Sequence, residues 1–493
     1  MPALRAVVGF GALAAGPAAA GPWLAPGDAR LRTDVELLRA HGLVQGPVGS
    51  WPLPVAQLDA ALERAEGRPL APVVAAAVRR VRAILDWELR PDRYRVDAAA
   101  TNQPALVRGF AETARGKAEG AVGVQHDRGR FTFALGGSAT VFPDAPPYYA
   151  RGNRLRPNRS FLAMQLGNWA LWGGHVERYW GPSREGGLLL STSARTYPQL
   201  GIRTLEPRRI DLPVLRWAGP VAFELAGGVL PEKRGDSDRP ALVGMRIEAA
   251  PLPGLSVAVS RQFMFCGEGR PCGLGTVLRA LFAVGENTGG QAEPGNQLAG
   301  WEVVYDFPLG ARGFAGRLFI ETAAEDEDDF RLQKYARRAG GHLAGPLGGR
   351  GASFRLGAEH VDTLASSLFT GLRFPGVMYN HFLYTDGLTF ERRPVGFSLD
   401  GDARMTTVAG EVTDARNRLW YASVRDIALN VRETPTYRIS RTREDLRIVQ
   451  VGAELPTILG DLRFELRHLS DRPDTPGQRE GQWQLEAGWR SRF

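Results

Sequence analysis

Alternation of apolar and polar residues dominates the chain beyond about residue 96. In residues 243–249 one face is apolar while the other carries Gly244, Arg246 and Glu248, and residues 301–307 and 462–468 repeat the scheme. A two-residue period is typical of strands with one apolar and one polar face. Because such runs recur roughly every twenty residues, residues 95–493 predict an all-β, antiparallel transmembrane barrel of about 18 strands.

The end of the chain favours a membrane barrel over a soluble sandwich, in which strands also alternate. The last strand carries one apolar face and one polar face. The apolar face consists of Trp483, Leu485, Ala487, Trp489 and Phe493. The polar face consists of Gln482, Gln484, Glu486, Arg490 and Arg492. A last strand that ends on phenylalanine resembles the signal by which outer-membrane barrels are recognised for insertion. Connections at residues 325–349 and 374–390 are long enough to be predicted as extracellular loops.

The first 94 residues have a different organisation. Residues 1–20 combine Arg5, an apolar stretch and the small residues Ala18 to Ala20, which predicts a signal peptide cleaved after Ala20. Residues 21–94 show the helical period, with helices predicted at 34–41, 55–66 and 72–89. We expect these helices to form a small bundle or plug on the periplasmic side of an outer-membrane barrel.

The predicted export determines the redox state that we expect for the two cysteines, Cys266 and Cys272. An oxidising envelope favours a short-loop disulfide between them, and two free thiols are the alternative. The spacing of the two cysteines fits no pattern of metal ligands. The acidic run 325–329 lacks the ligand spacing of a calcium loop. We therefore expect neither a metal nor a cofactor.

The formal charge of +8 comes almost entirely from arginine, because only Lys117, Lys233 and Lys334 are lysines among 61 basic residues. Arginine binds carboxylate and phosphate through two parallel hydrogen bonds, as on acidic sugars or lipopolysaccharide, although genomic base composition alone also explains its use. No recognised nucleic-acid motif accompanies the charge. Motifs for a nucleophilic serine, a phosphate-binding loop or a dinucleotide site are also absent from the sequence, so we expect no enzyme.

Five residues are candidates for binding polysaccharide: Arg178, Tyr179, Trp180, Arg195 and Arg203. An aromatic ring beside a guanidinium is suited to stack on a sugar and bind its acidic group. The alternative is structural, with the aromatic residues at a strand end and the arginines paired with carboxylates inside a polar barrel.

Several ordered motifs resemble the Wzi family of capsule assembly proteins. They lie at residues 168–182 (NWALWGGHVERYWGP), 188–195, 23–34, 46–48 with 51–54, 295–300 and 384–387. The resemblance implies an eighteen-stranded outer-membrane barrel with a periplasmic helical bundle, and a lectin-like role in attaching capsular polysaccharide or exopolysaccharide to the bacterial surface. Outer-membrane lipid, lipopolysaccharide and the barrel assembly machinery would be its other partners. A carbohydrate-selective porin is the second hypothesis, and an outer-membrane hydrolase is the third.

Overall fold

The computed structural model describes residues 21–143, 154–273, 275–277, 279, 295–325, 327–328, 331–332, 334–348, 351–475, 477 and 479–493. The predicted signal peptide, residues 1–20, lies outside this part of the chain.

Eighteen antiparallel strands form a closed barrel, which confirms the predicted fold class. In chain order they are β1 (Asp92–Thr101), β2 (Gly116–Arg128), β3 (Phe131–Pro143), β4 (Phe161–Leu166), β5 (Trp169–Gly174), β6 (Gln199–Thr204), β7 (Pro220–Val229), β8 (Ala241–Ala249), β9 (Leu255–Phe265), β10 (Gly295–Leu309), β11 (Phe314–Ala324), β12 (Tyr335–Pro346), β13 (Ser353–Ser366), β14 (Arg404–Thr413), β15 (Leu419–Leu429), β16 (Glu444–Thr457), β17 (Gly460–Leu469) and β18 (Gln482–Arg492). The barrel closes where β18 pairs with β1, with Trp489 opposite Ala98.

Short segments add further secondary structure in the described part of the chain. Arg154–Arg156, Arg208–Arg209 and Arg373–Phe374 add to the barrel sheet. Leu215–Ala218 forms a 3₁₀ turn. Four small two-stranded sheets pair Trp23–Leu24 with Leu53–Pro54, Ser50–Trp51 with Tyr179–Trp180, Glu327–Asp328 with Arg331–Leu332, and Thr389–Phe390 with Arg393–Pro394. The prediction of a loop over residues 325–349 was wrong, because Tyr335–Pro346 is barrel strand β12.

The last strand shows why the pattern alternates. Trp483, Leu485 and Phe493 point outward and are exposed, whereas Gln484 and Glu486 are buried inside the barrel. A membrane barrel needs this arrangement, since its outer face meets lipid and its inner face is polar.

Among the described residues, three helices precede the barrel: α1 (Ala29–Ala40), α2 (Val55–Ala65) and α3 (Pro72–Glu88). Two agree closely with the predicted bounds, but α1 begins five residues before the predicted start, because the Asp28 carboxylate accepts a hydrogen bond from the Leu31 N–H at 2.9 Å and caps the helix there.

The two ends of the barrel differ. At the short-turn end, brief connections such as 129–130, 310–313 and 458–459 join the strands, and both the start of β1 and the end of β18 lie there. The helices pack at this end, where a Cβ on Gly313 would lie 2.5 Å from Val73 of α3. At the long-loop end, the connections include residues 175–198, 230–240 and 367–403.

Much of the lumen is occupied by the chain itself. Residues 102–115, 175–198 and 374–403 fold inward from the long-loop end, and α1 packs on β10 and β11 from the other end. The largest hydrophobic cluster joins buried residues of the second and third of these segments, such as Leu188 and Phe397, to lumen-facing residues of the wall, such as Leu298 and Ala336.

Candidate functional site

Arg178, Tyr179 and Trp180 lie in the inward-folded segment 175–198 and are buried. The Tyr179–Trp180 pair forms a small antiparallel sheet with Ser50–Trp51 of the N-terminal region. The Trp180 ring packs against the barrel wall at Gly244, where a Cβ would lie 2.8 Å from the indole. Glycine at that lumen-facing position therefore makes room for the tryptophan.

Three of the five sequence-predicted residues meet at one carboxylate, Glu224 of β7. Arg178 Nη1 and Trp180 Nε1 donate to Glu224 Oε1 at 3.1 and 3.2 Å, and Arg203 Nη1 lies 3.4 Å from Oε2. All four side chains are nearly excluded from solvent. Glu224 was not singled out from sequence, although it is the one acidic residue on the polar face of the alternating run 221–225.

The other two candidates lie apart from Glu224. Arg195 donates to the Thr140 hydroxyl at 3.0 Å and lies 3.7 Å from a Glu119 carboxylate oxygen. The Tyr179 hydroxyl donates to the Ser183 carbonyl oxygen at 2.6 Å and accepts from the Gly186 N–H at 3.1 Å. Burial raises the pKa of Tyr179 to about 12, so this hydroxyl stays neutral.

Polysaccharide contact by these five residues stays a prediction. In the structure, the faces of the Tyr179 and Trp180 rings are covered by protein, and the arginines face internal carboxylate or hydroxyl groups. The pairing of the arginines matches the alternative that the sequence left open, whereas Tyr179 and Trp180 are buried inside the barrel and do not lie at the end of a barrel strand.

A second charged cluster attaches α1 to the lumen wall. The buried Glu36 carboxylate accepts from Arg32 of the same helix at 3.0 Å, from Arg184 at 2.6 Å and from Arg317 of β11 at 2.7 Å. Burial alone would raise the pKa of Glu36, but the three arginines hold it well below its usual range. Glu36 is therefore a carboxylate that ties the helix, the inward segment and the wall together.

Two cavities lie in the lumen on either side of residues 107–113. One, of about 160 Å³, is lined by Asp28, Arg95, Arg159 and other polar groups. The other, of about 110 Å³, is lined by Glu359, Tyr421 and neighbouring side chains. Both are small beside the roughly 300–1,000 Å³ of typical ligand pockets.

We call residues 230–240, 266–273, 367–403 and 430–443 the cap, because they cover the long-loop end of the barrel. Arg234 connects two of these segments: it pairs with Asp236 at 2.8 Å and Glu232 at 3.1 Å and donates to the backbone carbonyls of Gly387 and Thr389 at 2.8 Å each. These bonds fix the loop 230–240 against the loop 367–403.

Burial raises the pKa of the Glu232 carboxyl in the cap to about 7, and the nearby acids Asp386 and Asp236 act in the same direction. Glu232 also accepts a hydrogen bond from the Glu391 N–H at 2.6 Å.

Cys266 and Cys272 form a disulfide within the cap. The Tyr384 hydroxyl donates to the Cys266 carbonyl oxygen at 2.8 Å, which joins the disulfide loop to the loop 367–403.

The outer surface of the cap presents aromatic and basic side chains to solvent. Phe369 is 97% exposed, and Phe382 is also exposed and stacks on His381 with ring centres 4.7 Å apart. Arg432 and Arg441 are exposed on the neighbouring segment. Rings and guanidinium groups of this kind can bind the faces and the acidic substituents of sugars.

Within the described part of the chain, no group of three or more His, Cys, Asp or Glu side chains is arranged to hold a metal ion. Most of the acidic run 325–329 lies outside the residues whose side chains are described. None of the described helices is both long and apolar enough to cross a membrane.

Comparison with known proteins places these features among relatives. The family described as capsule assembly protein Wzi matches residues 90–458. An uncharacterised 55.8 kDa protein in the cps region of Klebsiella pneumoniae is 24% identical over 427 residues, which cover 86% of this chain and 81% of the relative. A solved structure has the same fold with a TM-score of 0.79 at 20% identity, covering 96% of this chain and 99% of the other; it is Wzi, an outer membrane protein involved in group 1 capsule assembly in Escherichia coli and described as a carbohydrate-binding β-barrel.

Proposed function

Since the chain belongs to the capsule assembly protein Wzi family, we propose that it is a lectin-like outer-membrane protein that attaches capsular polysaccharide or exopolysaccharide to the bacterial surface. Residues 1–20 direct export and are removed, residues 21–91 form the helical region, and the barrel begins with β1 at Asp92, three residues before the boundary that the sequence predicts. The barrel assembly machinery inserts it into a membrane of lipid and lipopolysaccharide.

The difference between the two ends of the barrel supports one orientation. Outer-membrane barrels have short periplasmic turns and longer extracellular loops. The short-turn end with its helices therefore faces the periplasm, and the cap faces outward.

The filled lumen is the observation that carries the proposal. Segments from both ends occupy the interior, and cavities of about 160 and 110 Å³ are too small to bind a polymer along its length. The polysaccharide therefore binds the outer surface of the cap, through exposed rings such as Phe369 and arginines such as Arg432. Many weak contacts along one polymer add up to firm attachment.

The five buried candidates support this surface from beneath. Arg178, Trp180 and Arg203 fix the inward segment 175–198 through Glu224. That segment in turn bears on the cap, since Tyr379 donates to the Leu188 carbonyl oxygen at 2.5 Å. Their substitution is expected to weaken polysaccharide binding only by disturbing the cap.

Deletion of the gene tests the role in cells. We expect polysaccharide to be released into the medium while its total amount is unchanged, because synthesis does not depend on attachment. Wild-type levels of cell-bound polysaccharide in the deletion strain would contradict the proposal.

Recording from purified protein in planar bilayers separates the lectin from a carbohydrate-selective porin. A filled lumen predicts no steady current, whereas a current that sugars block would favour the porin. We also propose a non-enzymatic role, so incubation with the protein should leave the chain length of the polysaccharide unchanged.

A further inference from the structure

The connection between β6 and β7 exposes a group of large apolar side chains at the short-turn end. Ile210, Leu212, Val214, Leu215 and Trp217 all face solvent, with Val214 and Trp217 exposed by 80% and 74%. The segment has its own structure, because the Arg216 N–H donates to the Leu212 carbonyl oxygen at 2.9 Å and Leu215–Ala218 forms a 3₁₀ turn. Its apolar side chains are thus held outward by a folded backbone.

Exposed apolar residues recur on other turns at the same end. Leu252, Leu309, Leu347, Ile458 and Leu459 lie in or next to the connections that follow β8, β10, β12 and β16. We call these five residues together with the five of segment 210–217 the collar. The turns 129–130 and 414–418 are polar by contrast.

The collar continues the apolar outer face of the barrel. Exposed aromatic residues lie within five positions of the short-turn end of their strands: Phe131, Trp169, Tyr305, Trp420 and Phe464. Aromatic residues at this level mark the boundary between lipid tails and headgroups in membrane barrels. The collar lies just beyond that boundary.

Basic residues accompany the collar at its largest element. Arg208 and Arg209 precede segment 210–217 and are exposed, and the Arg216 guanidinium lies 5.7 Å from the centre of the Trp217 ring. A tryptophan with apolar neighbours and arginines is typical of segments that lie in a membrane interface and contact anionic headgroups.

We propose that the collar is embedded in the phospholipid headgroups at the short-turn end of the barrel, with segment 210–217 as its main anchor. Lipid fits the distribution of the collar better than a protein partner does, because its residues lie on five turns spread from β6 to β17. A protein partner would require such residues in one sector. The inference rests on the membrane location in the proposed function but does not depend on polysaccharide binding.

Spin labelling of the full chain in vesicles of phosphatidylethanolamine and phosphatidylglycerol tests the proposal. Nitroxides are attached at Val214→Cys, at Leu318→Cys on the outward face of β11, and at Ala415→Cys in the polar turn 414–418. The two native cysteines are bonded to each other, and the unsubstituted chain serves as the labelling control.

The ratio of collisions with oxygen to collisions with a water-soluble nickel chelate should be several-fold higher at Val214 than at Ala415. Leu318 gives the value for lipid-embedded positions. If Leu318 shows lipid contact and Val214 behaves like Ala415, the collar is not in the membrane and a protein partner becomes the better explanation. If Leu318 also behaves like Ala415, the membrane location itself fails. Leu212→Cys is the second collar position and decides the question should Val214→Cys fold poorly.

Discussion

Replacing Glu36 with glutamine tests how the N-terminal helix is held in the barrel. The Glu36 side chain is 3% exposed and accepts hydrogen bonds from three arginines, Arg32, Arg184 and Arg317. Glutamine has nearly the same shape but no charge, and its amide group places a donor against a guanidinium. The substitution therefore removes the one carboxylate that these three buried cations share, although Arg317 also pairs with Asp306 at 2.6 Å, and it leaves the packing intact.

The magnitude follows from the burial. Removing one partner of a buried ion pair costs about 3–5 kcal/mol, and we expect about 3 kcal/mol here because glutamine keeps one acceptor oxygen. Since about 1.4 kcal/mol corresponds to a tenfold change in an equilibrium constant, local opening of α1 should become roughly a hundredfold more frequent.

Hydrogen exchange of residues 29–40, measured by mass spectrometry, reports this local opening. The matched control is Glu66→Gln, which breaks the exposed pair between Arg82 and Glu66 at 3.1 Å in the same helical region, where the two side chains are 46% and 69% exposed. Such a pair contributes about 0–1 kcal/mol. Equal protection of α1 in both variants would refute the assignment of Glu36 as the group that holds the helix.

The pH dependence of the same helix gives an independent check. The pKa of Glu36 is held well below its ordinary value of 4.5 in the folded chain. A lowered carboxyl pKa means that the stabilisation is fully present above pH 4.5 and is lost as the pH falls through the folded value. The Glu36→Gln variant should lack this loss, and an identical acid response in both chains would contradict it.

Three further predictions concern the cap and the last strand. The pKa of Glu232 is raised to about 7, so docking of loop 230–240 should strengthen as pH falls from above 7 towards 4.5. Hydrogen exchange in this loop, corrected for intrinsic rates, should therefore slow over that range, and Glu232→Gln should abolish the change. Cys266 and Cys272 should resist alkylation in the exported chain until a reductant is added. Cys266→Ser should lower the free energy of opening of the seven-residue loop by about 2 kcal/mol, because the constraint on the open loop is lost, as measured by hydrogen exchange in urea. The Phe493 backbone N–H donates to the Tyr94 carbonyl oxygen at 3.0 Å where the barrel closes. Deleting Phe493 should therefore lower the amount of heat-modifiable barrel in the membrane fraction. An unchanged amount would show that Phe493 is dispensable.

Local patterns were sufficient to predict the barrel, since alternation depends only on which side of a strand faces lipid. The same reasoning failed at β12, where two arginines and two glycines, Arg337, Arg338, Gly340 and Gly341, obscure the alternation of apolar and polar residues. Arg338 is acceptable there because it points into the lumen and pairs with Glu321 at 2.9 Å. That partner lies on the neighbouring strand and is invisible to a local pattern.

The candidate site was predicted less completely than the fold. The sequence identified Arg178, Trp180 and Arg203 as candidates, but their convergence on Glu224 depends on how segment 175–198 folds back inside the barrel. Nothing near Arg178 in the sequence indicates that Glu224, 46 residues later, is its partner. The exposed surface of the cap could not be predicted for the same reason, because it is formed by separate loops that meet only in the folded chain.

Binding of the purified, refolded protein to polysaccharide isolated from the same cells tests the central claim most directly. The native chain and the control Arg416→Glu, which changes an exposed arginine at the opposite end of the barrel, should retain the polymer equally. A variant of the cap with Phe369→Ser and Arg432→Glu should retain much less. Equal retention by all three proteins, or none by the native chain, would contradict attachment at the cap.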